Sequence, residues 1–350
     1  MGPELASDTR SPRILIVRLS AIGDVILTMP MLNALRGRFP QALLAWVVEN
    51  KAACLLEGHE ALDELIVVPK GFLKSPRVVW GLRRRLRAMR FDAAIDTQGL
   101  TKSALVGWLS GAKRRIGPKG QWGRELSPWL NNELVLPTAP HLVDRTVELL
   151  RSLGIERPGI EFRVPQTDEE RRAAAGLVAE AGLEKGFAII NPGAGTASRI
   201  WPPQRFAAVA RHLGKAWNLP SLVIWAGTAE MALAEWIVGE SEGHAQLAPS
   251  TSLRQLSALT RLARLFISAD TGPMHLAVAV GTPCVGLCGP WPAAQSGPYG
   301  PQHVAVQKMV LDGTSRQRRR APSRYMEAID VPAVCEACDS VLRREAARAA

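Results

Sequence analysis

Residues Phe266–Pro290, FISADTGPMHLAVAVGTPCVGLCGP, read as strand, polar loop, short helix, Gly-Thr-Pro turn and strand. Phe266 and Ile267 end an apolar run, and Ser268 to Gly272 form a small polar connector. Met274 to Val280 have the spacing of a helix, and CVGLC returns as a buried strand. In an open α/β sheet, ligands sit beyond the carboxyl ends of the strands, where Asp270, Thr271, Gly272 and His275 fall. Gly272 lets backbone amides approach a ligand closely, and the helix start that follows favours an anionic group. For an isolated Asp-Thr-Gly the plainer reading is an Asp that caps the helix. Aspartic proteases also carry Asp-Thr-Gly, but their chemistry needs a paired carboxylate on a β-rich fold, which this α/β setting excludes.

Outward from that stretch the chain repeats the same grammar. Arg13–Leu19 (RILIVRL), LLAWVV, DELIVVP and DAAIDTQ read as strands, and helices separate them. The helix from Asp24 towards Phe39 places Leu27, Met31 and Leu35 inward, with Pro30 expected to perturb or restart it. Gly99, Lys102 and Ser103 open the helix after DAAIDTQ, a setting suited to phosphate or carboxylate recognition. Arg124 and Glu125 lie in a less regular stretch, before a helix from about Val143 to Leu153. GIERPGIEFRVPQT, residues 154–167, is turn-rich and reads as an inter-domain linker. A second α/β series follows. DEERRAAAGLVAEAG is a helix, FAIIN a strand, and PGAGTASRIWP a glycine-rich loop whose Arg199 suits a phosphate. That loop is not a Walker loop, which needs Gly-Lys-Ser/Thr at the helix start. LVIWAG and two further helices lead back to Phe266, and a basic region with RQRRR precedes a final helical piece, VPAVCEACDSVLRREAARAA.

The 350 residues suffice for two domains, and 47% hydrophobic with 21% charged residues is a globular composition. A net charge of +11 and a pI near 10.0 point to an anionic partner. Nucleic acid is disfavoured because no recognised module appears and only 5% of residues are aromatic. VVWGLRRRLRAMRF is an amphipathic helix with an arginine-rich outer face. By default that face is solvated, but with Lys113, Arg114 and Arg115 it suits approach to an acidic surface. No apolar run has the length of a membrane span, and MGPELASDTRSPR lacks the order of a signal peptide, so a cytosolic enzyme resting on the inner membrane face is expected. The five cysteines form no disulfide framework. Cys335 and Cys338 have no second pair or nearby histidines to complete a zinc site, and read as structural.

Four motifs then stand in series: RLSAIGDVILTMP, QGLTKSA, NPGAGTASRIWP and DTGPMHLAVAVGTPCVGLCGP. Together they resemble the bacterial heptosyltransferases, glycosyltransferase family 9, over Leu15 to Pro290. WVVEN and QGLTKSA look most like the heptosyltransferase I branch, which adds the first heptose to the Kdo-lipid A core. The resemblance implies an α/β, GT-B fold of two Rossmann-like doubly wound domains facing a central cleft. It implies an acceptor domain at 1–160, a donor domain at 168–325, and a helical tail at 326–350 able to cross back to the first domain.

Carried over by position, Asp24 matches the catalytic base of an inverting transfer from ADP-heptose. Arg199 matches a lysine that precedes Trp-Pro in the family, while Thr196, Thr271 and Gly272 match phosphate-holding positions. Asp270 and His275 match donor-site positions, and Glu230 matches one that contacts the nucleoside. Lys102 and Arg124 match basic acceptor-side positions that meet Kdo carboxylates or lipid phosphates. The resemblance implies ADP-heptose and Kdo-lipid A as partners, at the cytoplasmic face of the inner membrane, with no nucleic acid. No Asp-x-Asp motif is present, so no obligatory metal is expected, although magnesium can accompany the diphosphate. APSRYMEAI departs from the family in lacking the cysteines that often precede its Met-x-x-Ile segment. Two other readings are a GT-B enzyme with another heptose or hexose donor or another glycan acceptor, and a non-catalytic sugar-nucleotide-binding protein. The presence of Asp24 argues against the latter.

Overall fold

The structure, a computed structural model, describes residues 11–349. Most of the N-terminal stretch read for a signal segment, up to residue 10, lies outside the described residues. Two compact units divide between Pro165 and Gln166, inside the turn-rich stretch. The first holds β1 (Arg13–Val17), β2 (Leu43–Glu49), β3 (Glu64–Val68), β4 (Ala93–Asp96), β5 (Arg114–Pro118) and β6 (Glu133–Val135). Its parallel sheet has the order β3-β2-β1-β4-β5-β6. The second holds β7 (Ala188–Asn191), β8 (Ser221–Val223), β9 (Ala245–Leu247), β10 (Leu265–Ala269), β11 (Cys284–Leu287) and β12 (Val304–Val306). Its parallel sheet has the order β12-β11-β10-β7-β8-β9. Counted from its own first strand, each unit has the same order. Chain direction across the sheet reverses between β1 and β4, and again between β7 and β10. At such a switch point the loops part and leave a crevice beyond the strand ends.

Helices cover both faces of each sheet, so the central strands are apolar on both sides. Ile14 to Val17 are wholly buried, and so is every residue of β10. Leu15, Val17, Val47 and Ile66 anchor the first core; Ile190, Phe206, Ile267 and Leu287 anchor the second. The helix after β1 divides as its proline foretells: Ile22–Ile26 ends, and Met29–Arg38 restarts with Pro30 in its first turn. The expected helix at 143–153 is an α-helix only over Leu142–Glu148 and tightens to 3₁₀ over Leu149–Leu153.

Four strands have no counterpart in the sequence reading: β5, β6, β9 and β12. Three are only three residues long, and β5 opens on two arginines, so none carries an apolar run of ordinary strand length. Their neighbours define them. Arg114 pairs with Glu133 of the next strand at 2.7 Å, and Arg115 Nε donates to Leu130 O at 2.8 Å.

The C-terminal helix Val331–Ala349 belongs to the second unit, where it packs on the Pro203–Trp217 helix and on β10 to β12. Val334, Cys338 and Leu342 enter that core, and Asp339 accepts hydrogen bonds from Trp217 Nε1 at 2.7 Å and His212 Nε2 at 2.8 Å. Burial pushes the Cys335 thiol up to about 11 and raises Cys338 as well, and both pack in or against the core.

Candidate active site

In the first unit the site grows from the ends of β1 and β4. Asp24 is the third residue of the Ile22–Ile26 helix, and its Oδ2 accepts the Ala21 N–H at 3.1 Å, a cap-like contact at the helix start. The same oxygen lies 2.8 Å from Arg18 Nη2. Arg18 is buried, and its other terminal nitrogen donates to Thr97 O at 2.6 Å, which ties the end of β1 to the loop after β4. Asp24 Oδ1 has no hydrogen-bond partner among the described residues, and the side chain is 39% exposed, so that oxygen is open to a ligand. Lys102 reaches the loop after β1, donating to Ser20 Oγ at 3.1 Å, and the end of β2, donating to Glu49 Oε1 at 3.2 Å. A second buried guanidinium, Arg145, stacks 3.6 Å above the Trp122 ring. Burial first, then the charge of Arg18, pulls Arg145 down to about 10. Arg18 and Arg145 therefore bring positive charge to Asp24, while Glu49 pairs with Lys102, and cations gathered at a strand end favour anionic ligands. Arg124 lies at the same edge through its backbone, which donates to Gly99 O at 2.9 Å, and its side chain is exposed, with its charge acting on Glu125. Gly99 is required there. Its φ is +63°, and a Cβ would stand 2.1 Å from Trp122 O.

In the second unit the site grows from the ends of β7 and β10. Asp270 does not cap the helix that follows; Thr271 occupies the cap position. The buried Asp270 carboxylate instead meets His275 Nε2 at 3.2 Å, Arg199 Nη2 at 3.3 Å and Ser296 Oγ at 2.9 Å. Burial alone would push Asp270 up, but the His275 hydrogen bond and the Arg199 charge outweigh it and hold the carboxyl below its usual range. Arg199 also donates to Asp270 O at 2.8 Å and lies 3.9 Å over the Trp291 ring, while its Nε is buried without a partner among the described residues. Asn191 closes the other side, its Nδ2 donating to Ser268 Oγ at 2.9 Å and Thr271 Oγ1 at 3.2 Å. Gly272 opens the Gly272–Ala279 helix immediately beyond. Thr196 turns to Ser198 Oγ at 3.1 Å instead of to the Asp270 cluster. Glu230 accepts the Ala226 N–H at 2.9 Å and lies against the glycine-rich loop, where a Cβ on Gly193 would come within 2.3 Å of its carboxyl carbon. A cation, backbone amides at a helix start and a carboxylate beside a glycine loop can receive a nucleoside diphosphate.

Residues 79–324 match the model for glycosyltransferase family 9 (heptosyltransferase). The chain belongs to that family. It is 27% identical over 321 residues to lipopolysaccharide heptosyltransferase 1 of Salmonella typhimurium, covering 87% of this chain and 98% of the relative. It is also 27% identical over 297 residues to lipopolysaccharide heptosyltransferase 2 of Escherichia coli, covering 79% of this chain and 83% of the relative. A family 9 structure from Veillonella parvula superposes with a TM-score of 0.85 at 24% identity, over 97% of this chain and 99% of that one. The E. coli heptosyltransferase WaaC, solved with ADP-2-deoxy-2-fluoro heptose, superposes with a TM-score of 0.73 at 25% identity, over 94% and 99%. The two doubly wound units are those of a GT-B glycosyltransferase.

For this family 9 enzyme, sequence reasoning missed Arg18, Arg145, Asn191, Ser296 and Trp291. Arg18 and Asn191 carried a signal, since each is a polar residue closing an apolar strand inside a motif, RLSAIGDV and NPGAG. Arg145 sits in a regular helix and Ser296 in a short turn helix. Nothing in the local pattern sets them apart, and only the fold brings them to the site.

Proposed function

We propose that the enzyme transfers L-glycero-D-manno-heptose from ADP-heptose to the Kdo region of the lipopolysaccharide inner core, with inversion at the anomeric carbon. The observation that carries this reading is Asp24, held through Oδ2 by Arg18 and Ala21 while Oδ1 stays free. A sugar hydroxyl is a weak nucleophile until a positioned carboxylate takes its proton. Oδ1 accepts that proton as the acceptor oxygen bonds to the anomeric carbon. The bond from that carbon to the β-phosphate oxygen breaks on the opposite side, and its electron pair leaves with ADP. Arg199 and the amides at Thr271 and Gly272 receive the charge that grows on the diphosphate, with Thr196 beside them. Asp270 and His275 position Arg199 and the loop, and Glu230 takes the nucleoside end. Lys102 and Arg124 meet acceptor carboxylates or phosphates. The step requires no metal, although magnesium can accompany the diphosphate. Assignment to the heptosyltransferase I branch rests on the WVVEN and QGLTKSA segments, since identity to the relatives of the two branches is equal at 27%. Such an acceptor places the enzyme at the cytoplasmic face of the inner membrane as a peripheral protein. Among the described residues no helix is long and apolar enough to cross a membrane.

The test is transfer from ADP-heptose to Kdo2-lipid A and to its deacylated form, with Asp24→Asn in parallel. Product from the wild type, and a fall of roughly 10²–10⁴-fold in kcat for the variant with donor binding retained, supports the reading. Donor binding without product overturns the acceptor; no binding of ADP-heptose overturns the donor.

A further inference from the structure

The Pro76–Ala88 helix presents two chemically opposite faces. Leu82 and Leu86 are buried in the first unit's core, with Val78 and Val79 packed beside them. At 100° per residue, Arg77, Trp80, Arg83, Arg84 and Arg87 fall together within an arc of about 120° on the other side. All five are exposed, and Trp80 is 60% accessible, a large indole left in water. The Arg84 guanidinium lies 5.1 Å from its ring. None of the four arginines is in an ion pair among the described residues; Glu64 at the margin pairs with Arg85 instead. Arg83 and Arg87 are four apart and Arg84 and Arg87 three apart, like-charge spacings that destabilise a helix standing alone in water. Trp108 on the adjoining Thr101–Ser110 helix is a second exposed indole, and Gly111, which ends that helix, lies against the Arg87 side chain.

We propose that this arginine-tryptophan face docks the enzyme on an anionic lipid surface. Guanidiniums neutralise acidic headgroups, and an indole among them settles at the boundary between headgroup and acyl chain. The proposal builds on the peripheral placement argued above and assigns it to one surface. A nucleic acid satisfies the charge but gives the outward indole no apolar layer, so lipid is the better match.

The test uses the full-length protein with phosphatidylcholine vesicles, with and without phosphatidylglycerol, in the absence of donor and acceptor. Sedimentation with the anionic vesicles is expected, and raised salt weakens it. Arg77→Glu with Arg84→Glu should lower partitioning by roughly two to three orders of magnitude. Trp80→Ala should lower it by about tenfold. The exposed pair Arg171→Glu with Arg172→Glu, which changes net charge equally in the second unit, should lower it far less. Turnover of the deacylated acceptor should be unchanged in the stripe variants, which also reports that they fold. Equal binding to neutral vesicles, equal loss from the Arg171 and Arg172 pair, or loss of DNA binding in step with vesicle binding while Trp80→Ala alters neither would each overturn the proposal. Partitioning is read without chemistry, so failed heptose transfer leaves this result intact.

Discussion

The two units close equivalent strands with nearly the same residues, Asp96-Thr97-Gln98-Gly99 at β4 and Asp270-Thr271-Gly272 beyond β10, and put them to different uses. Asp96 is bound only by neutral donors. Its Oδ1 accepts the Gln98 and Gly99 N–H groups at 3.0 Å each, and its Oδ2 accepts Ser127 Oγ at 3.1 Å and Asn131 Nδ2 at 3.2 Å. Burial raises its pKa, and these hydrogen bonds offset the rise only in part. Asp270 is buried as deeply but meets Arg199 and His275, and is held low. One carboxylate braces a loop; the other fixes a cation. In the first unit the cation-carboxylate pair stands one strand over, as Arg18 with Asp24 after β1. Equivalent topology therefore assigns a place at the switch point, while the partners that reach it assign the role.

The strongest way to break this contrast is to remove the cation in the second unit. Arg199→Ala should lower kcat/KM by roughly 10²–10³-fold, because charge growing on the leaving diphosphate loses its partner. Arg199→Lys should recover part of that, since a lysine supplies the charge without the guanidinium's fork. Equal rates for Arg199→Ala and wild type would remove Arg199 from the site.

The matching change in the first unit is smaller, because Arg18 acts through Asp24. Arg18→Ala should lower kcat by roughly 10–10²-fold and leave KM for the donor unchanged, as loss of carboxylate orientation predicts. Arg18→Lys should recover little, because one ammonium does not bridge both Thr97 O and Asp24 in the same geometry. A rise in donor KM with kcat preserved would make Arg18 a donor contact instead.

The smallest effect sharpens the contrast through its sign. Asp270 has a folded pKa below its unfolded value, so its contribution to stability is present above the unfolded value and is lost as pH falls through the folded one. Asp96 has a raised folded pKa, so its contribution is present in acid and is lost as pH rises through the folded value. Thermal unfolding of Asp270→Asn and Asp96→Asn against wild type across the acidic range should therefore give difference curves of opposite slope, each at most about 1.4 kcal/mol per pH unit. Slopes of the same sign would refute the distinction.

What could be read without the fold follows from how each feature is encoded. β1, β2 and β10 declare themselves because a doubly covered strand must be apolar throughout, and Pro30 breaks its helix by its own ring. β6, β9 and β12 do not, because three residues become a strand only through a neighbour's hydrogen bonds. Asp24, Lys102, Arg199 and Asp270 could be singled out because each adjoins the polar end of an apolar run, where a parallel sheet gathers its loops.

By itself the sequence determined two successive β-α series, the break between them, and which short polar segments lie at the strand ends. Only the tertiary structure decided which carboxylates meet cations. Arg199 and Asp270 are 71 residues apart, Lys102 and Glu49 are 53 apart, and Asp96, whose partner Asn131 is 35 residues away, meets no cation. Periodicity reports which face of an element is buried, but the charge state of a buried Asp depends on what the folded chain brings to its oxygens.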